Sequence, residues 1–417
     1  MYPTTRIPNP LRQALLALTL AGMGAGAFAQ ATPAPASLKD VYETAWARQP
    51  EAQALAARRD AVQAQQRAAG AWTPEPPALA VASKSDRFTR NDGARELEAA
   101  ITVPLWLPGE RRSSGALADS EAAALESRVE AARLRLAATV REAWWNWQRA
   151  RIDAEMARGQ WDNARRIAAD VARRTQAGDL ALADRHQADG AVAAAEAAVA
   201  QAEAATTAAL QQLKALTGGT AFTAFAAPAP DEPEPASADA PPHPALAELQ
   251  DRAAVAERAA ALAATQSRAN PELTLSATRE RGSFDERYGR TVTLGIRIPL
   301  GAGPRHDSRV AAARADAMEA QAQLALDRAR LQSEGEAAVA RVHAARAQLA
   351  AAERRAALAR ETRGFFDKSF RLGETDLPTR LRIENEAFDA ERQAARSRIE
   401  LAAAISTWRQ ALGLLPQ

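Results

Sequence analysis

The alternation of hydrophobic and polar residues predicts short β-strands in two parts of the chain. Between residues 97 and 103 every second position is apolar. Between residues 291 and 297, Val292, Leu294 and Ile296 alternate with threonine, glycine and arginine. A side-chain period of two is typical of a strand with one apolar face. Each of these strands follows another alternating segment, so the sequence predicts two strand pairs. The four predicted strands lie at about 78–88, 95–103, 271–281 and 290–299.

Long helical segments follow each strand pair. Residues 110–177 contain no proline and only two glycines, Gly115 and Gly159. One helix of about 68 residues would be about 100 Å long, which is too long for a single compact domain. A second helix returns after Gly178, so the sequence predicts a long helical hairpin, and the same pattern recurs later in the chain. The predicted helices lie at 38–71, 110–177, 180–216, 304–372 and 376–412.

The chain contains an internal repeat with an offset of about 195 residues. Ile101-Thr102-Val103-Pro104-Leu105 aligns with Ile296-Arg297-Ile298-Pro299-Leu300, and Gly178-Asp179 aligns with Gly373-Glu374. Landmarks in the same order at a nearly constant spacing indicate two copies of one unit. The stretch between the copies is rich in proline and alanine, which predicts a linker. The predicted segments are a first repeat at 38–219, a linker at 220–242 and a second repeat at 243–417.

The first 29 residues have the pattern of an export signal. Arg6 and Arg12 precede an apolar core at 14–27, and Ala27-Phe28-Ala29 fits an A-x-A cleavage site. We therefore expect residues 1–29 to be a signal peptide and residues 30–37 to be a short extension of the mature chain.

Composition excludes several classes of protein. The chain has no cysteine, which excludes disulfide frameworks, thiolate metal sites and cysteine nucleophiles. Its mean hydropathy of −0.33 and the lack of a long apolar run exclude a helical membrane protein. Without the signal peptide, the formal charge is zero, so no nucleic-acid partner is predicted. The four histidines lie far apart, and no catalytic motif is present. The sequence therefore predicts no enzyme activity, no cofactor and no dedicated metal site.

Strands of about nine to eleven residues have the length that crosses an outer membrane when tilted. Four strands cannot close a barrel, and open strand edges are not tolerated in lipid, so several chains must contribute to one barrel. Aromatic residues stand where the membrane interfaces would fall, although each could also be an ordinary packing residue. The interface candidates are Trp72 and Trp106 at the helix-side ends, and Phe88, Phe284 and Tyr288 near the loops.

These features together resemble the TolC-type outer-membrane efflux family: a signal peptide, a tandem repeat, a strand hairpin and a long helical hairpin in each half, and glycine turns at Gly178 and Gly373. The resemblance implies a mainly α fold with a small β part, assembled as a homotrimer. Its 12-stranded β-barrel would lie in the bacterial outer membrane, in contact with lipid, and continue as a periplasmic α-helical barrel. It also implies a passive exit channel that works with a periplasmic adaptor protein and an inner-membrane pump of the RND type.

The resemblance further implies a gate at the helix tips. The family has an Asp six residues after the first turn glycine, and here Asp184 follows Gly178 at that spacing. In a trimer it would form a ring of three carboxylates, although a solvated surface charge is the alternative. Phe370 and Gly373 fit the second hairpin, where Thr379 replaces the acidic residue and Arg380 follows.

The cargo stays open at this point. The run from Val103 to Arg112, with Pro108-Gly109-Glu110-Arg111-Arg112, resembles the strand-to-helix junction of the heavy-metal cation efflux branch of the Czc type, with Glu110 in place of a Lys. Multidrug or organic-solute export and type I protein secretion are alternative channel functions. A periplasmic coiled-coil scaffold is the alternative without a pore.

Overall fold

A computed structural model describes residues 37–219, 232–235, 242–301 and 303–417. The predicted signal peptide at 1–29, residues 30–36 of the extension and most of the linker at 220–242 lie outside the described residues. The described parts contain seven helices and four strands. The first repeat comprises α1 (Leu38–Ala47), α2 (Pro50–Ala69), β1 (Ala78–Ser85), β2 (Arg95–Pro104), α3 (Glu110–Ala177) and α4 (Leu182–Thr217). The second comprises α5 (Pro244–Thr265), β3 (Glu272–Arg281), β4 (Gly289–Arg297), α6 (Pro304–Arg371) and α7 (Leu377–Ala411).

The single helix predicted at 38–71 is wrong, because the chain forms two helices there. Ser37 caps α1, and its hydroxyl accepts the Asp40 N–H at 3.2 Å. The helix ends before Pro50, which stands at the first position of α2. A proline has no N–H to donate and disfavours a helical conformation in the residue before it. Gln49 is accordingly extended, with φ −67° and ψ 139°.

Two hairpins of long helices dominate the molecule. The helices α3 and α6 each have 68 residues, a length of about 100 Å at 1.5 Å per residue. The first hairpin turns at Gly178 (φ 87°) and the second at Gly373 (φ 79°). In both turns the N–H after the glycine reaches back to a carbonyl five residues earlier, as in a Schellman motif. The positive φ explains why glycine stands at both positions.

The four strands form one antiparallel sheet in the order β1-β2-β3-β4. The two repeats meet at β2 and β3, which pair along their whole length from Arg95 with Arg281 to Pro104 with Glu272. Among the described residues, β1 and β4 are therefore the edge strands of this sheet. The strand β1 ends at Ser85, three residues before the predicted end at 88, because a turn begins at Asp86, whose carbonyl accepts the N–H groups of Thr89 and Asn91.

The main hydrophobic core lies where α1, α3, α4 and α7 meet. Trp144 and Trp147 pack there with ring centroids 5.4 Å apart, against Val41 of α1 and Leu213 of α4. Many other buried positions are alanines, which allow the helices to approach closely. Three of the eight tryptophans, Trp144, Trp145 and Trp147, are buried at this level. This core anchors both hairpins near the middle of their length.

Candidate functional site

The sheet exposes its apolar face. Leu79, Ile101, Leu275 and Leu294 lie side by side in register, one from each strand, so they share a face. Leu79 and Leu294 are each 71% exposed, and no other element among the described residues covers this row. The neighbouring rows on this face are also apolar over much of the sheet: Val103, Leu273 and Ile296, then Val81, Ala99, Ala277 and Val292. A surface of this kind marks a lipid or protein contact.

The opposite face of the sheet carries small and polar side chains. One row contains Ala82, Glu98, Thr278 and Thr291. Two rows further along this face, Thr102 and Thr274 of the joined strands lie with their hydroxyls 3.3 Å apart. In β2 and β3 the residues of this polar face are less exposed than those of the apolar face. The sheet thus reverses the usual arrangement of a water-soluble protein, in which the apolar face is the covered one.

The five interface candidates lie at the two ends of the strands. Trp72 at the helix end is 93% exposed, while Trp106 donates its indole N–H to the Ala71 carbonyl at 3.1 Å. At the loop end Phe88 is 94% exposed. Phe284 packs on Gly93 of the neighbouring loop, whose φ of 97° and lack of a side chain allow this contact. Their placement at the ends agrees with the predicted aromatic girdles, which stay a prediction.

The tip of the first hairpin brings Asp184 close to Gly178. Asp184 is in the first turn of α4, and one carboxylate oxygen accepts the Ala181 N–H at 3.1 Å. Its side chain is half-exposed. The carboxylate therefore caps its own helix, where a negative charge is favourable, and it remains partly open to the surroundings of the tip.

The tip of the second hairpin contains the other three gate candidates, and Phe370 and Arg380 are not on the surface. Phe370 is 1% exposed and stacks between the guanidinium groups of Arg174 and Arg380, at 4.8 and 4.6 Å from its ring centre. Arg380 also forms an ion pair with Asp367 at 2.8 Å. Arg174 belongs to α3 and donates to the Phe370 carbonyl at 3.2 Å. These contacts join the two hairpins near their tips.

A groove of about 740 Å³ lies between the two hairpins, next to the contacts around Phe370. Polar contacts bridge α3 and α7 in the groove and beside it. Asn163, which lines the groove, donates to Glu384 at 2.9 Å. In a neighbouring depression Asp153 forms a bidentate pair with Arg396 at 2.6 and 2.7 Å. Burial raises the pKa of Glu384, while Arg363 and Arg380 lower it in part. The interface between the hairpins is therefore polar and contains a carboxyl group that resists ionisation.

Sequence reasoning missed a buried charge cluster formed by the linker. Glu232 makes a bidentate pair with Arg141 of α3, at 2.7 and 3.0 Å, and lies 3.3 Å from Arg409 of α7. The Ser406 hydroxyl also donates to it. Arg141 donates further to the Leu414 carbonyl at 3.0 Å. Burial lowers the pKa of Arg409, and the neighbouring Glu232 raises that pKa in part. No sequence signal marked Glu232, because its partners are far away in the chain.

The junction that resembles the heavy-metal branch has a structural role. Glu110 is 2% exposed and accepts the Leu107 N–H at 3.0 Å. Its carboxylate also accepts from Asn270 at 2.8 Å and from Gln266 at 2.9 Å, both in the second repeat. Glu110 therefore joins the two repeats by hydrogen bonds at the helix end of the sheet.

The described residues contain no group of three or more His, Asp or Glu side chains arranged to hold a metal ion. Nor does any helix among them combine the length and the apolar character needed to span a membrane.

Residues 41–219 match the family described as outer membrane efflux protein. This match covers nearly all of the first repeat and confirms the family resemblance inferred from the sequence. The outer membrane in that description agrees with the predicted location. No curated protein sequence matches the chain.

The fold is shared with solved outer-membrane proteins. The outer membrane protein VceC of Vibrio cholerae is 20% identical, with a TM-score of 0.73, over 90% of this chain and 96% of that one. The CmeC outer membrane channel of Campylobacter jejuni is 16% identical, with a TM-score of 0.70, over 96% and 94%. The open state of the MtrE outer membrane channel of Neisseria gonorrhoeae is 14% identical, with a TM-score of 0.68, over 90% and 89%. The predicted fold class, mainly α with a small β part in two tandem repeats, is confirmed.

Proposed function

We propose that this protein is the outer-membrane channel of an efflux system, through which substrate passes without catalysis. The observation that carries this proposal is the four-stranded sheet whose exposed face is apolar and whose opposite face is polar. A lipid-facing apolar surface and a polar interior are the arrangement of a transmembrane β-barrel. The family match at 41–219 and the shared fold of the three outer-membrane proteins support it.

The unpaired edges of β1 and β4 support a trimer. Edge strands leave N–H and C=O groups without partners, which lipid cannot supply. Joining β1 of one chain to β4 of the next satisfies these groups, and three chains of four strands would close a barrel of 12 strands. The hairpins of 68-residue helices would then extend about 100 Å into the periplasm. There a periplasmic adaptor and an inner-membrane pump of the RND type would deliver the substrate.

The helix tips are the proposed gate. The Asp184 side chains of three subunits would form an acidic ring near the axis, and the paired tips around Phe370 would hold the two hairpins together. The buried position of Phe370 and Arg380 supports a role in the stability of the tip, and the partly exposed Asp184 is the candidate that would meet the substrate.

The proposal is tested by fractionating cells that express the full chain. We expect the mature protein in the outer membrane, as a homotrimer in a native mass measurement after detergent extraction, and we expect it to conduct ions in a planar bilayer. A soluble monomer in the periplasm would contradict the proposal and favour the coiled-coil scaffold.

Heavy-metal cations are the first cargo to test, because of the junction at 103–112. Multidrug or organic-solute export and type I protein secretion are the alternatives. A host strain that lacks the gene would become sensitive to zinc, cobalt or nickel in the first case, and to dyes and detergents in the second. A loss of secreted protein in that strain would favour type I secretion.

A further inference from the structure

The loop end of the sheet carries a cluster of arginines on the apolar face. Arg279 and Arg290 lie directly opposite each other in β3 and β4, in the same row as Leu97. Arg95 is two residues before Leu97 in β2 and so lies on the same face. Arg87 follows from the adjacent loop, and we call Arg87, Arg95, Arg279 and Arg290 the arginine patch. Like charges directly opposite in a sheet are destabilising, so their presence requires an explanation.

No carboxylate compensates the arginine patch within the described residues. None of its four guanidinium groups has an Asp or Glu oxygen within 4.0 Å in the parts of the chain that the structure covers. The acidic side chains of this end, Glu96 and Glu280, lie on the polar face of the sheet, and Glu96 pairs with Lys84 at 3.2 Å. The two signs of charge are thus separated by the sheet, with cations alone on the apolar side.

Three members of the patch line a depression of about 430 Å³. Arg87, Arg95 and Arg279 line it together with the apolar side chains of Phe88 and Leu97. Lys84 and Glu96, which pair with each other, also line it and together add no net charge. Tyr288 also lines it, and its ring lies 4.2 Å from the guanidinium of Arg279. Stacking on an aromatic ring restricts a guanidinium and leaves its N–H groups free to bind an anion. The depression therefore offers several fixed cations beside apolar surface.

We propose that the arginine patch binds the phosphate groups of lipid headgroups in the leaflet that surrounds the loop end of the barrel. Planar guanidinium groups bind phosphate oxygens in pairs of hydrogen bonds. The occupant must carry both an anionic group and an apolar part, because the patch is continuous with the exposed face of Leu79, Ile101 and Leu294. A phosphorylated glycolipid such as lipid A meets both requirements. This inference rests on the proposed function, which places that face in the membrane.

The position of the patch along the strands fits this role. An arginine on the lipid face is far more costly at the centre of the bilayer than near the interface. The four arginines lie in the last rows of the strands and in the loop, away from the central row of leucines. They are thus placed where headgroup phosphates would be found.

The test measures binding of bisphosphorylated lipid A to the full chain in detergent, by titration and native mass measurement, against lipid A whose phosphates have been removed. We expect the phosphorylated form to bind at least tenfold more tightly. The double variant Arg95→Gln, Arg279→Gln should lose roughly 25-fold in affinity, at about five-fold for each guanidinium near the phosphate layer. The control Arg297→Gln, on the polar face near the other end of β4, should bind as the unaltered protein does.

Equal binding of the two lipid forms, or unchanged binding by the double glutamine variant, would overturn the inference. Full competition by inorganic phosphate alone would also overturn it, because a soluble anion would then be the ligand. If the glutamine variant fails to fold, the Arg95→Lys, Arg279→Lys variant keeps the charges without the planar fork, and we expect intermediate affinity. If the protein forms a trimer in the outer membrane but binds both lipid forms equally, only this inference is contradicted. A soluble protein would contradict the proposed function.

Discussion

The carboxyl group of Glu384 lies between the two helical hairpins, where burial disfavours its charged form. It faces Asn163 of α3, Arg363 and Asp367 of α6, and Arg380 of its own helix. Burial raises its pKa above the ordinary value of 4.5. The native state therefore holds the proton more tightly than the unfolded chain does. The contribution to stability is fully present below pH 4.5 and is lost as the pH rises through the raised pKa.

We predict that Glu384→Gln removes this pH-dependent loss of stability. The uncharged amide oxygen can still accept the hydrogen bond from Asn163. The variant should be more stable than the unaltered protein at pH 7, and the difference should shrink as the pH falls toward 4.5. Thermal unfolding of the detergent-extracted protein between pH 4.5 and pH 8 measures this. Glu386→Gln is the control, since Glu386 is exposed and paired with Arg382. A pH-independent difference would contradict the prediction.

Glu232 is buried between two arginines. Its side chain is 2% exposed and that of its partner Arg141 is 5% exposed. Removal of its charge would leave Arg141 and Arg409 buried beside each other without compensation. We predict that Glu232→Gln lowers the free energy of unfolding by about 3–5 kcal/mol.

The control is Glu234→Gln, two residues further along the same linker segment. Glu234 pairs with Arg346, and both side chains are 45% exposed, so the change should cost at most about 1 kcal/mol. Urea unfolding of the two variants in the same detergent gives both values. Equal costs would show that the linker is attached to the helices only at their surface.

The single residues differ in how far the sequence could predict them. Gly178 and Gly373 could be located because each interrupts a helical pattern and both recur at the repeat offset. The position of Glu232 could not be predicted, since Arg141 and Arg409 are 91 and 177 residues away from it. The role of Arg380 was also hidden, because its ion pair with Asp367 and its contact with Phe370 depend on how two helices pack.

At the scale of elements, substitutions in the strands test which face of the sheet contacts lipid. Leu294 and Thr293 are neighbours in β4 and lie on opposite faces of the sheet. We predict that Leu294→Arg costs about 2–4 kcal/mol per chain, because it places a charge in the middle of the lipid-facing surface. Thr293→Arg should be tolerated, since it adds a charge to the polar face. The amount of heat-resistant trimer in the outer membrane measures both effects.

If both variants assemble normally, the assignment of the two faces is wrong. If Thr293→Arg alone blocks assembly, the faces are reversed. Either result would contradict the barrel, because the register of the sheet fixes which side chains share a face.

The elements also show the limits of prediction from the sequence. The bounds of α3 at 110–177 follow from the lack of proline and from the flanking glycines, and the structure has the same bounds. The helix predicted at 38–71 lacks the break at Arg48 and Gln49, although Pro50 is a clear signal for it. The pairing of β2 with β3 across the two repeats could not be derived, since no local pattern encodes which strands of a sheet are neighbours.

At the scale of the whole molecule, conduction measurements test the proposed role of Asp184 at the tip. Asparagine keeps an oxygen that can accept the Ala181 N–H, so Asp184→Asn removes the charge and preserves the cap. We predict a lower single-channel cation conductance and weaker cation selectivity for this variant. Asp189→Asn, which removes a carboxylate paired with Arg185 one turn further along α4, is the control.

Unchanged current and selectivity for Asp184→Asn in planar bilayers would remove this residue from the gate. A similar loss for both variants would point to a general effect of charge along α4, with no specific ring at the tip.

The linker cluster has a consequence for the order in which the chain can fold. Its members are synthesised at very different times, because Arg141, Glu232 and Arg409 are spread over much of the sequence. The first repeat cannot bury Arg141 in this cluster until residues near 409 are present, so this part of the chain stays hydrated until synthesis is almost complete. We expect a chain truncated before Ser406 to be cleaved near this cluster by added protease, whereas the full chain resists cleavage there.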